Sequence, residues 1–122
     1  MRVLIIDDEK PLADTLCLIL EHAGYLARAA YDGVAALSLI RSFVPDVVIS
    51  DVAMPGMNGV EACGKIKSEL PNCHIILFSG QAETDELMAN ARSNGCNWEL
   101  LAKPVHPRDL LAKLSTLQLF VA

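Results

Sequence analysis

The sequence predicts an α/β fold, a (βα)5 three-layer sandwich in which a parallel five-stranded sheet is doubly wound with helices. Two observations predict it. The apolar runs Val3-Leu4-Ile5-Ile6, Val47-Val48-Ile49 and Ile75-Ile76-Leu77-Phe78 are continuous and not alternating, as in strands buried on both faces. The segments between them carry apolar residues at helical spacing, so strand and helix signals alternate along the chain. Right-handed crossovers of this length place helices on both sides of one sheet.

Arg2 to Asp7 reads as the first strand. Pro11 suits a first helical turn, and Leu12, Leu16, Ile19 and Leu20 form an apolar stripe up to Gly24, a C-terminal stop. Tyr25 to Ala30 is a weaker, alanine-rich strand, after which Asp32 can cap a helix carrying Val34, Leu37, Leu39 and Ile40 that stops before Pro45. Asp46 to Asp51 is the central buried strand. Asn58 can cap a third helix through Val60, Ile66 and Leu70, closed by the turn Pro71-Asn72. Cys73 to Ser79 is the fourth strand. Glu83 to Asn94 is a polar-faced helix with Leu87, Met88 and Ala91 inward, Trp98 to Ala102 is the fifth strand, and Pro107 opens a last helix through Leu110, Leu111, Leu114 and Leu117.

The 122 residues suit one domain, 1–122, large enough for a core without disulfides or structural metal. The 52% hydrophobic content falls in short blocks, none near the ~20 apolar residues of a membrane span. Met1 leads directly into a strand followed by acids and not into a signal peptide, so a cytoplasmic location is expected. The net charge of -5, with no Lys/Arg cluster, argues against direct nucleic-acid binding. Cys17, Cys63, Cys73 and Cys96 lack metal or redox spacing and read as small buried hydrophobes. His22, His74 and His106 lack ligand spacing and read as structural or exposed.

These elements gather chemistry at one edge. Asp7 and Asp8 end the first strand, Asp51 the third and Ser79 the fourth, and Lys103 follows the fifth; ligands of open α/β sheets bind outside those carboxyl ends. Three carboxylates in one pocket repel one another, which a divalent cation resolves, and Mg2+ (or Mn2+) suits oxygen ligands with waters left for a phosphate. Lys103 can pair with Asp51 and then with a phosphoryl oxygen, and the Ser79 hydroxyl can bond the same group. Taken singly, an Asp after a strand is most often a cap or turn residue, and Ser79-Gly80 is common turn chemistry. Together they describe an ionised carboxylate able to attack phosphorus.

In Asp7-Asp8, Asp51 with Met54-Pro55 and Gly59, Ser79-Gly80 and Lys103-Pro104, in this order and each at a strand end, the chain resembles the receiver domain of bacterial two-component response regulators, chemotaxis regulators among them. The resemblance covers essentially the full length. It implies a flavodoxin-like strand order of 2-1-3-4-5, direct metal binding by Asp8, Asp51 and the backbone carbonyl of Ala53, and a water-mediated part for Asp7. It further implies that Asp51 takes a phosphoryl group from the phosphohistidine of a sensor histidine kinase or phosphotransfer protein, and that the bond before Pro104 is cis. Such a domain is a signalling phosphoacceptor and not an enzyme, catalysing only its own phosphorylation and dephosphorylation.

The chain departs from that family where the signal is passed on. Receivers commonly carry an aromatic switch residue three positions before the lysine, and here that position is Leu100; the stretch from Gly95 to Lys103 is one residue longer than usual. Strand alternation puts Trp98 on the face of Leu100, so Trp98 can take over part of the aromatic's role. No output domain is expected after the last helix. The signal would pass to a downstream protein, through a homodimer or through a domain beyond this sequence; the apolar end Leu117-Gln118-Leu119-Phe120-Val121 suits an interface or the completion of packing on the last helix. The rival reading is a phosphorylation-independent receiver-like interaction module, which Leu100 favours and the complete acidic pocket opposes. A phosphatase with an aspartate nucleophile fits less well, because those place the nucleophile in a first-strand Asp-x-Asp.

Overall fold

The computed structural model describes residues 1–79, 89, 98–103 and 106–118. Apart from Ala89, which is helical, the expected helix at 83–94 lies outside the described residues, as do the bond before Pro104, Gly80, Cys96 and the apolar end at 119–121. The strands are β1 (Arg2–Ile6), β2 (Leu26–Ala30), β3 (Val47–Asp51), β4 (His74–Ser79) and β5 (Glu99–Ala102). The helices bounded within the described residues are α1 (Lys10–His22), α2 (Gly33–Leu39), α3 (Gly59–Glu69) and α4 (Pro107–Gln118). All strand pairs are parallel, in the order β2-β1-β3-β4-β5. The predicted fold class and flavodoxin-like order hold.

The strand period of two divides the core between the two faces. Leu4, Ile6, Val48, Ile75 and Leu77 pack with Ala36 and Ile40 around α2 and with Cys63 and Ile66 of α3. Val3, Ile5, Val47, Ile49, Ile76 and Phe78 point the other way, onto Leu16 and Leu20 of α1 and Leu110 and Leu114 of α4. Every residue of β3 is buried, which explains its unbroken apolar run. Among the described residues no helix is long and apolar enough to cross a membrane.

The predicted caps form. Asp32 accepts from Ala35 N at 2.7 Å, and Asn58 accepts from Glu61 N at 2.9 Å while donating to Glu61 Oε1 at 2.8 Å. Gly24 takes the left-handed conformation (φ 98) after α1, with Gly24 N on Glu21 O and Tyr25 N on Leu20 O, a Schellman ending. Two apolar assignments need correction. The buried stripe of α1 is Ala13, Leu16, Cys17 and Leu20, which leaves Leu12 38% exposed. On α2, Val34 is 66% exposed, because Gly33, Ala36 and Ile40 take the inward face. In both helices small residues let the helix lie close to the sheet, and spacing among large residues alone missed the inward direction.

Candidate functional site

Register assembles the site. Ile6 pairs with Ser50, so Asp7 and Asp51, each one residue further, lie level on neighbouring strands. Asp51 pairs with Phe78 and Ser79 with Ala102, and Lys103 follows. Lys103 N donates to Ser79 O at 2.9 Å, which carries the ladder one step past β5. The residues from strands β1, β3, β4 and β5 therefore meet at one edge, as predicted.

Lys103 Nζ lies 3.0 Å from Asp51 Oδ2. Burial opposes the charge on Lys103, but the hydrogen bond and charge of Asp51 outweigh it and hold the ammonium above the usual lysine range. Asp7 is fully buried: its N–H donates to Ala30 O at 3.1 Å, and its Oδ1 accepts from Glu9 N at 3.0 Å. Burial pushes the Asp7 carboxyl up, the Glu9 N–H pulls against it, and the charge of Asp51 adds to the rise. Asp7 Oδ2 is buried with no hydrogen-bond partner. Asp8 is exposed beside it.

Among the described residues one group of carboxylates could hold a metal ion: oxygens of Asp7, Asp8 and Asp51 lie within 4.8 Å of one another. An unpartnered buried carboxylate oxygen in an all-oxygen cluster suits a hard cation, which would replace the missing hydrogen bond and screen the repulsion. Ala53 is exposed two residues after Asp51. The 52–58 loop is tied back at both ends, by Val52 N on Phe78 O at 3.2 Å and by Gly59 N on Val52 O at 2.8 Å. Gly56 supplies the left-handed turn (φ 73) within it.

Gly59 is needed here for close approach. A Cβ there would overlap the Asp51 carbonyl oxygen and come within 2.9 Å of the Asp51 carbonyl carbon and of Ser50 Oγ. The chemistry-bearing residues missed from the sequence are Ser50, whose hydroxyl donates to the Asp51 carbonyl at 2.9 Å, and Glu9, through its N–H. A lone hydroxyl inside an apolar strand was the available signal for Ser50. Trp98 is half-buried against the α2/α3 core, and Leu100, two residues on and on the same face, is 38% exposed.

A family model described as the response regulator receiver domain matches residues 3–115. The chain belongs to the response regulator receiver family. Solved structures agree with this membership. The Vibrio cholerae chemotaxis protein CheY4 is 28% identical, with a TM-score of 0.79 over 94% of this chain and 96% of that one. A CheY-like response regulator receiver domain protein from Methanospirillum hungatei is 30% identical (TM-score 0.80; 94% of this chain, 90% of that one). The receiver domain of the Francisella response regulator 1452 is 26% identical (TM-score 0.81; 99% and 98%). Receiver domains are signalling phosphoacceptors that bind Mg2+ at a cluster of acidic residues, and in this receiver Asp7, Asp8 and Asp51 are so grouped.

Proposed function

We propose that this receiver is the phosphoacceptor of a two-component relay and that Asp51 is the residue modified. The observation that carries the reading is the pairing of Asp51 with Lys103 at 3.0 Å beside the buried, unpartnered oxygen of Asp7. Asp8, Asp51 and the Ala53 carbonyl would hold Mg2+, with Asp7 acting chiefly through water. When bound, Mg2+ supplies positive charge that offsets the three carboxylates and the incoming phosphoryl group.

A carboxylate oxygen of Asp51 forms a bond to phosphorus as the phosphorus–nitrogen bond of a kinase phosphohistidine breaks, its electron pair leaving on the imidazole. Lys103, already charged and aimed at Asp51, moves its ammonium onto the phosphoryl oxygens, and Ser79 donates its hydroxyl to the same group. The modification puts about -1.5 to -2 charge and three acceptor oxygens at the sheet edge in place of the single charge of the Asp51 carboxylate, which draws Ser79 and Lys103 inward and biases a two-state surface. That surface acts on a downstream protein or a second copy of the chain.

Incubation with acetyl phosphate and Mg2+ is expected to add one phosphoryl mass to the wild type and none to Asp51→Asn. Undiminished labelling of Asp51→Asn would remove Asp51 from the role. A wild type that takes no label under conditions where it binds Mg2+ would favour the phosphorylation-independent module, the reading to which the exposed Leu100 points.

A further inference from the structure

Ser50 is a fully buried hydroxyl next to the reactive carboxylate. The β1–β3 pairing ends at Ile6 and Ser50, whereas Asp51 still pairs with Phe78 on the β4 side. Because Val52 N–H points to Phe78 O, the peptide joining Asp51 to Val52 turns its carbonyl away from β4, toward the side where β1 has stopped. There Ser50 Oγ donates to that carbonyl at 2.9 Å. A buried carbonyl past the end of one ladder is thus satisfied by the residue before it.

Helix α3 closes on the same peptide. Gly59 leaves no side chain between the helix and the Asp51 carbonyl, and its N–H holds Val52 O. One turn further along α3, on the same helix face, Cys63 is fully buried in the core that this helix covers. Burial pushes that thiol up to about 12, with the nearby Ser50 hydroxyl pulling against it, so it keeps its proton at neutral pH.

We propose that Ser50 is a positioning residue for phosphoryl transfer: bonded to the Asp51 carbonyl and lying against Gly59 at the start of α3, it fixes the backbone that aims the Asp51 carboxylate. The inference rests on the reading of Asp51 as phosphoacceptor. A carboxylate on a single χ1 bond points where its own φ and ψ send it, so a peptide free to rock spreads the line of attack on phosphorus.

Ser50→Ala removes the bond, and Ser50→Thr keeps a hydroxyl. Labelling by acetyl phosphate in Mg2+ is expected to slow about tenfold in Ser50→Ala and to return to within about twofold of wild type in Ser50→Thr. Amide hydrogen exchange at Val52 and Gly59, measured without Mg2+ or phosphodonor, is expected to quicken in Ser50→Ala alone of the two. Wild-type labelling and exchange in Ser50→Ala overturn the proposal; so does equal slowing in Ser50→Thr, which would make packing the cause. If Ser50→Ala does not fold, Ser50→Cys decides, since it fills a similar volume with a much weaker donor: its labelling is expected to slow by about threefold, and a wild-type rate overturns the proposal. A wild type that takes no label defeats the phosphoacceptor reading instead, and the exchange comparison still judges whether Ser50 holds the peptide.

Discussion

Asp7 is the residue at which stability and function conflict. Its carboxyl is raised by burial, against the Glu9 N–H and with the Asp51 charge, and Oδ2 has no partner. A raised carboxyl means that the fold binds the Asp7 proton more tightly than the unfolded chain does. Metal-free stability therefore falls as pH rises through the window between the unfolded and folded values, and it stays reduced above that window. Asp7→Asn is expected to stabilise the metal-free protein by ~1–3 kcal/mol at neutral pH. The gain should shrink as pH is lowered toward the ordinary carboxylate range, which urea unfolding at two pH values would check, and calorimetry should show weaker Mg2+ binding. The acids and Lys103 were legible in the sequence because their types and strand-end positions suffice. Ser50 was not, because its role depends on β1 stopping at Ile6, a single-residue boundary that hydrophobic patterning does not resolve.

At the scale of elements, α3 matters most, because its first turn abuts the Asp51 peptide. Two glycines of this one helix should respond oppositely. Gly59→Ala drives a methyl group into the Asp51 carbonyl and is expected to cost ~2–4 kcal/mol. At Gly64 an added Cβ meets nothing within 4 Å, so Gly64→Ala is expected to gain ~0.5–1 kcal/mol from helix propensity. Urea midpoints of the two variants test this, and equal shifts would contradict the close approach. The sequence marked Gly59 as part of a motif, but its reason is a distance between two elements. Caps at Asp32 and Asn58 were readable because the bond is local, three residues along. The faces of α1 and α2 were less so: a small inward residue such as Ala13 or Ala36 carries little hydrophobic signal although it sets how closely a helix can lie.

At the scale of the whole molecule, two cores share one sheet, and Trp98 packs on the side built from α2 and α3, the helix that touches Asp51. Its fluorescence is expected to change on addition of Mg2+ plus beryllofluoride and to stay flat in Asp51→Asn; a silent Trp98 in a protein that binds the analogue would leave this face outside the switch. Fold class and the grouping of the acids were legible in element order and right-handed crossover, and the strand order in the resemblance to receivers. A switching part for Leu100 or Trp98 was not legible in the same way, because switching compares two arrangements of one chain. The pairing of β4 with β5 has one more consequence. Rungs from Glu99 to Ala102 are counted against Ile76 to Ser79, and Lys103 is set by that count and not by the length of chain before it. The ladder is a ruler whose zero lies at the reactive end: one residue inserted between Glu99 and Lys103 while the Glu99 rung is kept would turn the Lys103 side chain to the wrong face and silence the ammonium.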